Sequence, residues 1–256
     1  MGIPSFSLEG KVAIVTGGKR GIGKAIALAF AEAGADVAIC SRVIKDGELQ
    51  ATANEIQGLG RRSLAVQADI TRKTDVDNLV QRVVDEFTAI DILVNNAGIY
   101  FVDPPLLDVP EGDWDKIINV NLKGHYLCSQ AVGKRMVDRK AGNIINIASE
   151  LAIKPSSEAG VYCIAKAGVV MLTRVLAKEL ASYNIRVNAI APGAARTKML
   201  EYLLSDSEAL KQYEAQIPLG RIAEPGDIIG TALFLASEAS SYITGHTILV
   251  DGGLVA

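Results

Sequence analysis

Short runs of aliphatic and β-branched residues alternate with longer stretches of helical period along all 256 residues, and this alternation restricts the fold more than any other feature of the chain. The runs lie at 11–16, 36–41, 63–68, 90–94, 143–148, 186–191 and 246–250. The first reads Val12-Ala13-Ile14-Val15, apolar at successive positions rather than at every second one. A strand of that kind buries both faces, as strands do in a parallel sheet covered by helices on each side. Helical stretches at 24–33, 46–59, 75–87, within 114–139, 160–183 and 225–237 supply the crossovers such a sheet needs. The expected architecture is a doubly wound α/β fold with a seven-stranded parallel sheet. It takes residues 1–256 as a single domain, because no linker, repeat or low-complexity segment interrupts the pattern. The less regular stretch 197–221 follows a strand's carboxyl end, where open α/β sheets bind ligands, and is expected to be a substrate lid.

Composition excludes several function classes. Lys plus Arg is 26 and Asp plus Glu is 29, a net charge of −3, which gives no general grip on nucleic acid or an anionic membrane. Aromatic residues make up only 5%, so the core must be aliphatic and Ala-rich. The three cysteines, Cys40, Cys128 and Cys163, are scattered and odd in number, which suits reduced thiols rather than a disulfide framework. Two distant histidines, His125 and His246, offer neither a zinc site nor a His-based triad, and no metal is expected. Met1–Gly10 lacks the pattern of a signal peptide, and apolar stretches such as 228–236 are too short to span a bilayer. A soluble, cytoplasmic protein is expected.

The first strand runs straight into Thr16-Gly17-Gly18-Lys19-Arg20-Gly21-Ile22-Gly23 and then a helix. Glycines at 17, 21 and 23 let the backbone turn tightly and approach a pyrophosphate, and the helix start offers free N–H groups. The spacing is GxxxGxG rather than the commoner GxGxxG. At the carboxyl end of the second strand stand Ser41 and Arg42, with no carboxylate there to take a ribose hydroxyl; Asp36 lies at the opposite end. A guanidinium and a hydroxyl at that place, with Lys19 and Arg20 in the turn, suit a 2′-phosphate. NADP(H) is therefore expected over NAD(H).

Tyr162 and Lys166 sit four residues apart on one helix face. A phenol is a poor acid or base at neutral pH, and a neighbouring cation favours its ionised form. Ser149 adds a hydroxyl at the carboxyl edge of the sheet. Together with the glycine turn, these residues resemble the short-chain dehydrogenases/reductases over nearly the whole chain. Asn95-Asn96-Ala97-Gly98, Asn119-Val120-Asn121-Leu122, Pro192-Gly193-x-x-x-Thr197 and the ending Asp251-Gly252-Gly253 carry the same resemblance.

The resemblance implies a Rossmann-like fold and hydride transfer between NADP(H) and a ketone, aldehyde or secondary alcohol. It implies that Asn121, Ser149, Tyr162 and Lys166 are catalytic. Tyr162 would move the proton, Ser149 would hold the substrate oxygen, Lys166 would bind the nicotinamide ribose and depress the tyrosine pKa, and Asn121 would hold a relay water. Gly17, Lys19, Arg20, Gly21, Ile22, Gly23, Ser41, Arg42, Asp69, Ile70, Asn96, Tyr162, Lys166, Ala195 and Thr197 would contact the cofactor. A homotetramer is also implied, and apolar residues on several faces of 114–139 and 160–183 suit helix-on-helix contact between subunits.

The substrate is less defined. Ile99, Tyr100, Phe101, Leu151, Ala152, Met199, Tyr202 and Leu203 suggest a mainly apolar pocket. Glu150 is expected to meet either a polyol or solvent. His125 is read as structural, and Trp114 as a core anchor for its helix. A small carbonyl or alcohol is the leading expectation, with 3-oxoacyl thioesters on acyl carrier protein and sugars or polyols as alternatives. The thioester alternative is weakened by Tyr183, which stands where such enzymes often carry Arg, although Lys134, Arg135, Arg139 and Lys140 form a basic cluster. A nucleotide-binding protein without catalysis is the reading from another class, opposed by the intact Asn, Ser, Tyr and Lys set.

Overall fold

The computed structural model describes residues 5–256. Seven parallel strands form one sheet: β1 (Val12–Thr16), β2 (Asp36–Ser41), β3 (Ser63–Gln67), β4 (Ile92–Asn95), β5 (Gly142–Ile147), β6 (Ile185–Pro192) and β7 (Thr247–Val250). Their order across the sheet is β3-β2-β1-β4-β5-β6-β7, the expected Rossmann-like arrangement. The order reverses between β1 and β4, and the loops leaving their carboxyl ends diverge there and open a crevice.

The continuous apolar strands are explained by a layer on each face. Ala13 and Val15 of β1 pack into one layer with helices α1 (Gly21–Glu32), α2 (Glu48–Gly58) and α9 (Gly226–Ala236). Val12 and Ile14 point the other way, into a layer with α3 (Lys73–Phe87), α5 (Gly124–Arg139) and α6 (Gly160–Leu180). Phe30 is the largest fully buried side chain, so aliphatic residues fill nearly all of the core. Helix α6 is long and apolar enough to cross a membrane, with mean hydropathy 1.5, but it lies against the sheet. Val161, Ala165, Val169, Thr173 and Ala177 form its buried stripe.

Two expectations need correction. The stretch 114–139 is not one helix. Helix α4 (Glu111–Ile118) and α5 are joined by a π-helical turn, Asn119–Lys123. Asn121 lies in that turn with its side chain bonded to main chain on both sides, which holds the widened turn open. Trp114 does not anchor a core; it is 37% exposed on α4.

The stretch 197–221 carries two short helices, α7 (Glu201–Leu204) and α8 (Ser207–Glu214). Asp206 caps α8 by accepting hydrogen bonds from the Glu208 and Ala209 N–H groups, at 3.1 and 3.0 Å. These helices lie over the carboxyl edge of the sheet, where Leu219 N–H donates to the Gly252 carbonyl.

Candidate active site

The Gly-rich turn is braced from the neighbouring strand. Asn96 N–H donates to Thr16 Oγ1 at 2.9 Å, and Asn96 Nδ2 donates to the Thr16 and Gly17 carbonyls at 2.9 and 3.3 Å. Gly17 has φ +67°, a left-handed conformation that favours glycine. A Cβ on Gly23 would overlap the Asn96 amide and stand 2.5 Å from the Gly17 carbonyl oxygen. These two glycines are therefore fixed by geometry. Asn96 works here as a brace for the turn.

A cavity of about 460 Å³ opens over this turn. Gly17, Lys19, Arg20, Gly21, Ile22 and Gly23 form one wall. Ser41 and Arg42 from the end of β2 and Asp69 and Ile70 after β3 form the next. Asn96 to Tyr100, after β4, and Thr197 to Met199 close it. Asp69 spends one carboxylate oxygen on the Thr71 N–H and hydroxyl. Ala195 does not line the cavity; it is buried in a bridge to Ala223.

The charges beside the cavity divide in two. Lys19 donates to the Asp46 carboxylate and lies 3.5 Å from Glu48, which Arg20 also meets at 3.5 Å. Arg42 is exposed and has no ion pair among the described residues. The expected positive charge is thus concentrated on Arg42, while that of Lys19 and Arg20 is balanced internally. Asp36 is half of a structural pair: its carboxylate accepts from Arg62 N–H and Nε at 2.9 and 2.8 Å. A buried carboxylate at the end of β2 would repel a 2′-phosphate, and none is there, so the site fits NADP(H).

Beyond Tyr100 the character changes. The Tyr100 ring meets Tyr162 edge-on, with centroids 5.3 Å apart, and stacks on Tyr202 at 5.9 Å. Tyr202 Oη hydrogen-bonds Tyr100 Oη at 3.3 Å. The expected apolar pocket is therefore lined with phenols on this side. Ser149, Tyr162 and Lys166 lie behind, all more than nine-tenths buried.

Burial, then the Glu150 carboxylate, pushes the Tyr162 phenol above its ordinary value, while the Ser149 hydroxyl beside it pulls the other way. The expected depression by Lys166 is not found, because the ammonium sits 5.6 Å over the ring rather than against the hydroxyl. Tyr162 is held as a phenol, ready to give a proton. Lys166 Nζ donates to the Ile147 carbonyl at 2.7 Å, and burial brings its pKa down to about 7.

Asn121 uses both amide hydrogens on the Ile99 and Ile117 carbonyls and accepts from Ile99 N–H. It ties the β4 loop to the π-helical turn, and its side-chain donors are not free to hold a relay water. His125, also fully buried, meets the Ala97 carbonyl at 3.1 Å through Nε2. Burial, with the charge of Lys166, brings its pKa down to about 3, so it is neutral and structural as expected.

Three features escaped the sequence. Glu150 is buried, with Ser149 Oγ donating to its Oε2 at 2.7 Å. An amide network runs beneath the site, where Asn95 Nδ2 donates to Ser129 Oγ and Asn146 Oδ1, and Asn146 Nδ2 donates to Thr173 Oγ1. The third is the phenol pair. Buried Asn within an apolar strand was the only available signal for the network, and nothing local marked the other two.

Residues 17–255 match the family model described as Enoyl-(Acyl carrier protein) reductase. The chain is 42% identical to the 2-dehydro-3-deoxy-D-gluconate 5-dehydrogenase of Escherichia coli over 255 residues, covering 99% of each. It is 43% identical to a 3-oxoacyl-(acyl-carrier-protein) reductase of Synechocystis over 250 residues, covering 97% of this chain and 98% of that one. A gluconate 5-dehydrogenase from Burkholderia cenocepacia, solved with NADP and tartrate, superposes with TM-score 0.93 at 34% identity, covering 99% and 98%. Similarity along nearly its whole length, on this fold and with this cofactor cavity, means that the chain belongs to the short-chain dehydrogenase/reductase family, as an oxidoreductase moving hydride between NADP(H) and a carbonyl or alcohol.

Proposed function

We propose that the substrate is a small hydroxylated ketone or the matching secondary alcohol, and that Ser149, Tyr162 and Lys166 carry the proton chemistry. The observation behind this reading is the hydroxyl-rich wall: Tyr100 bonded to Tyr202, next to Tyr162, with the Ser149–Glu150 pair buried behind. Such a wall rewards a substrate with several hydroxyls and leaves a long acyl chain little apolar surface.

NADPH, when bound in this cavity, would supply the hydride for the carbonyl carbon. Tyr162 gives its phenolic proton to the carbonyl oxygen, and Ser149 donates a hydrogen bond to the same atom. Lys166 stands behind the tyrosine ring to hold the ribose. Asn121 fixes the loop after β4 that carries Tyr100. Gly17, Gly21, Ile22 and Gly23 would hold the pyrophosphate, Ser41 and Arg42 the 2′-phosphate, and Asp69 and Ile70 the adenine. Residues 197–221 act as a lid within the single domain 1–256, Thr197 facing the cofactor and Tyr202 the substrate.

The test is turnover with 5-keto-D-gluconate, ethyl acetoacetate and an acetoacetyl thioester, each with NADPH. Fastest turnover of the keto-sugar acid supports the reading; fastest turnover of the thioester replaces it with 3-oxoacyl reduction, the activity named for the Synechocystis relative. The basic cluster gives that second reading little help. Arg135 bonds Gln81, and Arg139 bonds Asp91 and the Ile90 carbonyl, which leaves only the lysines to attract a carrier.

A homotetramer in the cytoplasm completes the reading. Tyr126 on α5 and Ile164, Met171 and Val175 on α6 are exposed apolar residues that a subunit contact would cover, and all three cysteines are free thiols. Light scattering in solution tests the assembly: a monomer mass contradicts it.

A further inference from the structure

Glu150 follows Ser149 directly and is 5% exposed, an unusual place for a carboxyl with no cation against it among the described residues. Its Oε2 lies 2.7 Å from Ser149 Oγ. Ser149 Oγ also accepts the Leu151 N–H at 3.2 Å, so one lone pair is already taken and the hydroxyl proton has two directions left, one toward Glu150 and one toward the cavity. The groups facing Glu150 come from four places: Ser149 on its own turn, Tyr162 on α6, Tyr213 on α8, and Asp251 after β7. Asp251 is occupied by the Gly253 and Val255 N–H groups. Tyr213 approaches from the lid side, where burial and then the Glu150 carboxylate raise the pKa of its phenol.

A serine hydroxyl has a single proton. If an ionised Glu150 accepts it, the proton is not aimed at a substrate oxygen. If the carboxyl carries its own proton, it can donate to Ser149 and release the serine proton forward. We infer that Glu150 is the positioning residue that sets the direction of the Ser149 hydroxyl, aiming it at the substrate oxygen when protonated and drawing it back when ionised. The inference rests on the reading that Ser149 holds the reacting oxygen. Burial, with Asp251 adding to it, raises the Glu150 pKa above its ordinary value, against the opposing Ser149 hydrogen bond, which brings the switch toward working pH.

The experiment is the pH profile of kcat/KM for NADPH-dependent reduction of 5-keto-D-gluconate and ethyl acetoacetate. The wild type loses about five- to tenfold on the alkaline side of a midpoint above the ordinary glutamate range, the size of one hydrogen bond. Glu150→Gln carries a fixed N–H donor, so it lacks this limb and keeps the acid-side kcat/KM within about threefold. Its KM for NADPH stays at the wild-type value, which a general loss of structure would not allow. The Lys166 titration is common to both proteins, so the difference between their profiles isolates Glu150.

A wild-type profile without the limb, or a Glu150→Gln profile with the same limb, overturns the inference. If Glu150→Gln does not fold, Asp251→Asn decides. Loss of that charge removes a repulsion that raises the Glu150 pKa and moves the limb to lower pH; an unmoved limb overturns the inference. Ser149→Ala separates the two levels of the argument. Intact turnover there removes the reading of Ser149 itself, whereas lost turnover with an unchanged Glu150→Gln limb removes only the role of Glu150.

Discussion

The two halves of the crevice are held by different physics. On the cofactor side, main chain and neutral amides do the holding, through Asn96 on the glycine turn and Asn121 on the β4 loop, while the charged groups Arg20 and Arg42 stay near water. On the substrate side, Glu150, Tyr162 and Lys166 are buried with shifted pKa values. A binding surface can be built from groups that are content where they are. A proton-transfer site needs groups that burial has made reluctant, and such groups cost stability.

The largest effect that would break this contrast is on Tyr162. Tyr162→Phe is expected to lower kcat by about 10²- to 10⁴-fold while NADPH still binds. Fluorescence titration of NADPH beside steady-state rates checks both halves; intact turnover would place the proton donor elsewhere.

Lys166→Met sharpens the stability side. Burial holds the Lys166 pKa at about 7 when folded, against about 10.4 for an unperturbed lysine. Between those values the unfolded chain binds the extra proton, so wild-type stability rises as pH climbs through that window. Below it the folded protein bears the full cost of a buried charge. Lys166→Met should therefore raise Tm by several degrees at pH 6 and by less at pH 9, with activity lost, as scanning calorimetry would show. An unchanged or lower Tm at pH 6 means the buried ammonium is not a burden.

Arg42→Ala tests the cofactor side alone. It is expected to raise KM for NADPH about tenfold, the size of one charge-assisted hydrogen bond, and to leave KM for NADH unchanged. Equal loss with both cofactors would remove Arg42 from the 2′-phosphate. The smallest effect belongs to Asp46→Asn, which frees Lys19 from its carboxylate. NADPH binding should tighten about two- to threefold at low salt, and the gain should shrink at high salt, where salt screens the attraction between the freed ammonium and the cofactor phosphates.

Much of this was legible in the chain. Strand positions, the parallel sheet and the glycine turn follow from periodicity and from conformations that glycine alone adopts readily. The rejection of Asp36 followed from its place at the wrong strand end, and its bonds to Arg62 agree. The divided helix around Asn121 was not legible, because α4, the π-helical turn and α5 share one unbroken helical pattern. The exposed Trp114 misled for a related reason, since a lone tryptophan carries no mark of the face it occupies.

By itself, the sequence determined the fold class, the family and the cofactor turn, because these rest on local pattern: apolar runs, glycine spacing and residues a few positions apart. The tertiary structure decided what the charged and polar groups do to one another. Only folding brings Glu150 between Ser149 and Tyr213, sets Lys19 against Asp46, and places Lys166 over the Tyr162 ring instead of against its hydroxyl. Proton affinities depend on burial and on distances of a few ångströms between residues far apart in the chain, and neither quantity is carried by spacing along it.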